Sequence, residues 1–367
     1  MDDHSQNIAA AEIVLSCPEL DETLAFFRER LGFRLEMIFP ADDPAVAVLS
    51  GHGLRLRLAR DAGGAPGLIR LSCRDPPALA CGASALTAPN GTCIELVAAD
   101  PPLDLPPPAP SLVVTRLADG ADAWGVGRAG MRYRDLVPDR QGGRFIASHI
   151  RIPNGGPVPD MVHFHKIRFQ MIYCHKGWVD LLYEDQGPLF RLVAGDCVLQ
   201  PPEIRHRVVE CSPGLEVVEI GCPAEHLTCI DHALSLPTPD LRPDRDFGGQ
   251  RFVRHRAANA VWRPWRFDGT EARDIGISAA TDGLADVRVI RFPGADGLPP
   301  HRHAAEFLFG FVLNGAATLA ADGHKSPTLT AGDAFVVPAD MTYALENGGD
   351  DLELLHVALP ADYDVTA

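Results

Sequence analysis

Runs of basic residues are missing from this chain. Acidic residues number 49 against 33 lysines and arginines, the formal charge is −16, and no lysine- or arginine-rich stretch reverses that balance locally. This argues against a nucleic acid or an anionic membrane as partner. Long apolar runs are missing as well. The most apolar stretch, Phe307 to Ala321, is interrupted by Asn314-Gly315 and reads as two strands with a turn, not as a membrane span. The opening Met1-Asp2-Asp3-His4-Ser5 is acidic and polar, with no apolar signal core behind it, so a cytoplasmic protein is expected. The nine cysteines form no C-x-x-C pair, which reads as reduced thiols serving as small buried side chains.

Two proline-rich breaks divide the 367 residues. One runs from Asp100-Pro101-Pro102 to Pro110, the other from Leu236 to Gly249 with Pro237, Pro239 and Pro243. Proline fixes φ and removes a ladder donor, so both read as semi-rigid linkers. They leave three blocks, 1–100, 111–235 and 250–367. The last two repeat each other. Pro159-Asp160-Met161-Val162-His163-Phe164-His165 lies over Leu298-Pro299-Pro300-His301-Arg302-His303, and Cys174-His175-Lys176-Gly177 over Val312-Leu313-Asn314-Gly315. Ala194-Gly195-Asp196 lies over Ala331-Gly332-Asp333, and Gln200-Pro201-Pro202 over Val337-Pro338-Ala339. Between these marks run short alternating apolar segments broken by Gly, Pro and Asp, which suits a closed antiparallel barrel or sandwich.

The first block differs. Ile13 to Cys17 reads as a strand, and Leu20 to Leu31 as a helix with Leu20, Leu24, Phe27 and Leu31 on one face, ended by Gly32. Strand-like segments follow at Arg34–Phe39, Ala45–Leu49, Leu54–Ala59, Gly67–Cys73 and, after the turn Pro89-Asn90-Gly91, Thr92–Val97.

The middle block holds the richest chemistry. His163 and His165 are one residue apart, so a strand points both the same way. With Gln170 and His206 they gather three imidazoles and an amide, none of them charged. Neutral imidazole is the commonest protein ligand for a transition metal, and such a set leaves positions open for substrate or dioxygen. Arg168 lies two residues before Gln170, which on a regular strand puts it on the inward face, where a guanidinium fits a substrate carboxylate. Tyr183, Gln200 and Glu210 are weaker candidates. Tyr173 has the parity of the outer face, and His175 beside Lys176-Gly177 reads as a solvated turn histidine. Trp262 and Trp265 read as packing residues on a strand that covers a barrel.

The repeated blocks resemble cupins. That family's first motif pairs two histidines one residue apart with a following glutamate and glycine; its second sets glycine, proline and histidine in order. Here His163 and His165 are followed by Gln170 in the glutamate's place and Gly177 closes the motif. Gly195, Pro201 and His206 form the second, with Glu203 replacing a glycine. The resemblance implies two jelly-roll β-barrels in one chain, a bicupin, and a metal at His163, His165, Gln170 and His206. In the second copy His301 and His303 survive, but Leu308 stands where glutamate would and Tyr343 where the last histidine would. Two histidines and a phenol make a weak site, with Glu306 as a substitute ligand.

Residues 10–98 resemble a glyoxalase-like (vicinal oxygen chelate) module, through Leu15-Ser16-Cys17-Pro18-Glu19-Leu20, Phe26-Phe27, Leu31-Gly32-Phe33 and Pro89 to Leu96. Metal-binding members place His or Glu on four strands. Glu12 and Glu95 fall near two of those positions, and the other two strands offer no ligand. The module is therefore expected to be metal-free, structural or dimerising.

Together these readings predict a mainly β protein: two cupin jelly-roll barrels preceded by a smaller α+β module. The expected function is a mononuclear metal-dependent enzyme. The leading form is an Fe(II) dioxygenase acting on a small oxygenated aromatic or keto acid, since the resemblance to cupins implies oxygenases such as gentisate or quercetin dioxygenases. The alternatives are a redox-neutral isomerase, epimerase or lyase using Zn, Ni or Mn, and a bicupin that binds a small molecule without turnover. A monomer or homodimer is expected.

Overall fold

The computed structural model describes residues 10–120, 124–127 and 130–367. The chain forms two compact units, Met1–Pro102 and Leu103–Ala367.

The first unit is built from two unequal halves. In the first half, the strand Ile13–Ser16 leads into an α-helix, Leu20–Ala25, that continues as a π-helical turn, Phe26–Arg30. Strands Arg34–Phe39, Val46–Gly51 and Leu54–Ala59 follow, and the last of them pairs in parallel with Ile13–Ser16. The second half repeats this with one strand fewer: Leu68–Cys73, a short helix Pro76–Ala80, Ala85–Thr87 and Cys93–Ala98, the last again parallel to the first. Burial explains the helix. Leu20, Phe27 and Leu31 close over Leu49, Leu56 and Leu58 in one core, and Gly32 leaves the helix at φ +72°, a conformation glycine takes without strain. The Pro89-Asn90-Gly91 turn is tied to the first half by Asn90, whose Nδ2 donates to Ser16 O at 2.9 Å.

The second unit is two jelly-roll barrels, so the chain as a whole is mainly β. In the first barrel a seven-stranded antiparallel sheet carries Phe169–Lys176 between Cys197–Leu199 and Leu215–Cys222. A six-stranded sheet that carries His163–Lys166 and His206–Cys211 forms the rest of this barrel. The second barrel repeats this with Phe307–Asn314 between Ala334–Val336 and Glu353–Leu359. The two barrels exchange edge strands. Val113–Thr115, just after the first proline-rich stretch, pairs with Ala334–Val336 of the second barrel. Val253–His255, just after the second stretch, pairs with Cys197–Leu199 of the first.

Strand alternation sorts the side chains into three cores. On Phe169–Lys176, the residues Phe169, Met171 and Tyr173 face out of the first barrel, and on Phe307–Asn314 so do Phe307, Phe309 and Phe311 of the second. These six share one buried cluster, so the two seven-stranded sheets pack face to face. Phe145 and Phe307 stack there at 4.1 Å, and buried Arg273 donates to Tyr173 Oη at 2.9 Å. The opposite parity lines the barrel interiors, with Ile172 and Cys174 in the first and Leu308 and Val312 in the second. Trp262 packs on the inter-barrel cluster and Trp265 on the second barrel's interior. The second proline-rich stretch is held to the first barrel by Thr238, whose hydroxyl accepts from Asp185 N, and by Arg245, which pairs with Glu184 and Asp185. Among the described residues no helix is long and apolar enough to cross a membrane.

Candidate metal centre

Three histidines converge inside the first barrel. His163 and His165 occupy one face of the His163–Lys166 strand, and His206 opens the neighbouring strand directly across from His163. Their ring centroids lie 4.2 to 5.3 Å apart. One ligand nitrogen from each falls within 4.8 Å of the others. His163 and His206 are buried and His165 is half-buried. The tight turn before His206 makes this possible. Glu203 stands there with φ +61°, in a position that favours glycine, and its N–H donates to His165 O at 3.0 Å.

Backbone and side-chain oxygens orient each ring. His163 Nδ1 lies 2.8 Å from Met161 O and 3.6 Å from Asp160 Oδ1. His206 Nδ1 lies 3.0 Å from Ile204 O, and His165 Nδ1 is 3.0 Å from Thr228 Oγ1. Asp160, itself buried, is fixed by Val208 N at 2.9 Å. For His163 and His206 the Nδ1 partner is a backbone carbonyl, which can only accept, so Nδ1 carries the proton and Nε2 the lone pair, the usual arrangement behind a metal-binding imidazole; the Thr228 hydroxyl orients the His165 ring without fixing its tautomer.

The three rings line a cavity of about 360 Å³ whose walls are mostly aliphatic, among them Met131, Ile146, Ile150, Ile152 and Val217. Gln170 joins them from the Phe169–Lys176 strand, and its Nε2 donates to Glu219 Oε1 at 2.5 Å. Among the described residues Glu219 is the one acidic residue lining the cavity, and no lysine or arginine lines it. Gln200 also enters, with its amide nitrogen 2.9 Å from His206 Nε2. Tyr183 Oη and Gln200 Oε1 are buried without a hydrogen-bond partner among the described residues. Burial pushes the Tyr183 phenol well above its ordinary range, with the Glu219 charge adding to the effect. The three oriented imidazoles fit a divalent ion, and the same cavity wall carries an amide and a carboxylate that has no basic partner among the described residues.

Arg168 goes elsewhere. It sits in the bend before the strand that begins at Phe169, so the parity expected to turn it inward does not apply, and its guanidinium lies 3.5 Å from Glu306. Glu306 also takes Arg144 at 2.6 Å, which removes it as a ligand for the second barrel. Of that barrel's other candidates, His303 spends both ring nitrogens on the backbone, accepting from Ala305 N and donating to Val337 O, each at 3.1 Å. Burial lowers its pKa to about 4. His301 packs against Tyr343 at 4.3 Å and binds Pro299 O, and burial holds the Tyr343 phenol protonated. Among the described residues the first-barrel triad is the one cluster spaced for a metal.

Other expectations shift as well. His175 lies within the Phe169–Lys176 strand, between the rings of His149 and Phe311, and burial lowers its pKa to about 4. It is a half-buried inter-barrel residue, not a solvated turn histidine. Glu210 is exposed. In the N-terminal unit Glu12 pairs with Arg55 and Arg57, and Glu95 with Arg70. Sequence reasoning missed Glu219, Thr228 and His226, whose ring lies 5.3 Å from His165. Glu219 had a legible mark: of the two acids on the strand Leu215–Cys222 it is the one in phase with the apolar inward residues Leu215 and Val217, whereas Glu216 has the opposite parity. His226 and Thr228 follow that strand and carry no motif.

Residues 288–358 match the family model described as Cupin domain. Among curated proteins no sequence matches this chain. Solved structures do. A salicylate 1,2-dioxygenase from Pseudaminobacter salicylatoxidans superposes with a TM-score of 0.54 at 15% identity, over 72% of this chain and 90% of that one. A Bacillus subtilis oxalate decarboxylase variant gives 0.52 at 15% identity, over 69% and 78%. A Lactobacillus farciminis oxalate decarboxylase in complex with formate gives 0.50 at 13%, over 69% and 88%. At these identities the likeness is one of fold: the Leu103–Ala367 unit shares the two-barrel cupin architecture.

Proposed function

We propose that the first barrel is a mononuclear metal-dependent enzyme site, with His163, His165 and His206 holding a divalent ion and Gln170 completing its surroundings. The observation that carries this reading is the orientation of all three rings by oxygen partners on Nδ1. Bound there, an iron(II) ion would supply dioxygen chemistry and any divalent ion Lewis acidity. The chain's own residues define the rest. Aliphatic walls favour a substrate with a hydrocarbon body over one that is all carboxylate, and keep water from its flank. With no arginine lining the cavity among the described residues, an acidic or enolic oxygen of the substrate meets its positive charge at the ion and not at Arg168. Glu219 is the side chain placed to accept a proton from a substrate hydroxyl. The leading activity is an Fe(II) dioxygenase acting on a small oxygenated aromatic or keto compound. Oxygen uptake by the iron-loaded protein across such compounds tests it, and full iron occupancy with no uptake counts against it.

The presence of Glu219, the cavity's one carboxylate among the described residues, also favours a redox-neutral isomerase or lyase, since a base beside a Lewis acid suffices for proton abstraction. Turnover that survives strict anaerobiosis and replacement of iron by zinc, nickel or manganese decides for that reading. We read the blocks 1–100, 111–235 and 250–367 as three parts with chemistry confined to the middle one. The first is a glyoxalase-like module without metal, supported by its two parallel-closed halves and by the arginines that occupy Glu12 and Glu95.

A further inference from the structure

The three histidines and Gln170 bring no negative charge, yet a carboxylate stands beside them. Glu219 lies on the Leu215–Cys222 strand, opposite Ile172 in the ladder and therefore diagonal to Gln170, on the same inner face. Its partner is Gln170 Nε2 at 2.5 Å, and no lysine or arginine pairs with it among the described residues. A carboxylate at the wall of an apolar cavity without a positive partner is costly. A cation in the cavity removes that cost.

The hydrogen bond also fixes which end of the Gln170 amide faces which way. A carboxylate only accepts, so the amide nitrogen is the atom that meets Glu219, and Oε1 is left as the amide atom whose lone pairs an ion in the cavity would use. We propose that Glu219 is the anionic positioning residue of this centre. It holds Gln170 with its carbonyl oxygen toward the ion and supplies, from one strand over, the negative charge that the neutral donors lack. This inference rests on the metal-site reading above and assigns a residue outside both repeated motifs.

The test is metal affinity, measured by isothermal titration of the full-length metal-free protein with Co(II), together with the visible spectrum of the Co(II) form. Glu219→Gln keeps the size but removes the charge and the fixed amide orientation; affinity falls about 10–100-fold, the cost typical of losing such a supporting partner, and the Co(II) bands shift. The exchange variant Gln170→Glu/Glu219→Gln puts the charge on the other strand with the hydrogen bond reversed, and it recovers affinity to within about threefold of the wild type. Equal Co(II) affinity in wild type and Glu219→Gln overturns the proposal. So does a loss of thermal stability in metal-free Glu219→Gln with unchanged affinity, which marks a purely structural residue. If the wild type binds no Co(II), the metal-site reading itself fails and the proposal with it. If the wild type binds and His163→Ala does not, that reading stands whatever Glu219→Gln shows.

Discussion

Phe309→Ala tests whether the two barrels form one cooperative body. Phe309 is fully buried on the outward face of the second barrel, in the cluster it shares with Met171, Tyr173 and Ile220 of the first. Truncation removes most of an aromatic ring from a closely packed layer. Lost transfer free energy and the residual cavity together cost about 3–5 kcal/mol. For a unit of this size that corresponds to a fall in melting temperature of roughly 6–20 °C. The exchanged strands Val113–Thr115 and Val253–His255 tie each barrel's sheet to a segment belonging to the other, so the loss must be felt in both. Urea unfolding followed by far-ultraviolet dichroism, with hydrogen exchange resolved on Phe169–Lys176 and Phe307–Asn314, reads this directly. Both strands lose protection in parallel, in one transition. A variant that destabilises Phe307–Asn314 alone, or that costs less than about 1 kcal/mol, refutes the packed interface.

Further outcomes follow from individual contacts. His356 is buried and its pKa is lowered to about 3 by desolvation, with Arg266 adding to the effect, so between pH 6.5 and 3 the unfolded chain binds a proton that the native chain does not. Its contribution is therefore fully present above about pH 6.5 and lost as pH falls toward 3; the His356→Gln variant flattens that acid limb of the stability–pH curve by on the order of a few kcal/mol. Thr228→Val removes the oxygen that orients His165 and lowers Co(II) affinity about tenfold without changing the fold, as titration and circular dichroism read together. Arg168→Met leaves metal affinity and oxygen uptake unchanged and costs at most about 1 kcal/mol in urea unfolding, because its half-exposed ion pair with Glu306 lies outside the cavity; loss of activity at full stability restores Arg168 to the site.

Much of this architecture was legible because both of its periodicities are local. The alternation in Phe169–Lys176 and Phe307–Asn314, and the Gly-Asp and Pro marks repeated between blocks, specify strands and turns without reference to distant residues. The His163–His165 pair follows from strand geometry, and His206 from the Gly195, Pro201, His206 motif that carries the resemblance to cupins. What depended on three-dimensional pairing was not legible. The bend at residue 168 breaks the parity that would have aimed Arg168 inward. The exchange of Val113–Thr115 and Val253–His255 between barrels leaves no mark on the strands themselves. His301 and His303 look like ligands in sequence, but His303 has both nitrogens committed to backbone groups at Ala305 and Val337. The parity of Glu219 could be read from its strand, but its place beside Gln170 appears only once the register of Leu215–Cys222 against Phe169–Lys176 is known.

The most direct measurement is the metal stoichiometry of the protein after loading with iron(II), cobalt(II) or zinc(II) and removal of excess, by elemental analysis, in the wild type, His163→Ala/His206→Ala and His301→Ala/His303→Ala. The predicted result is one ion per chain in the wild type and in the second-barrel variant, and none in the first-barrel variant. An unmetallated wild type, or an ion that survives loss of His163 and His206, contradicts the account.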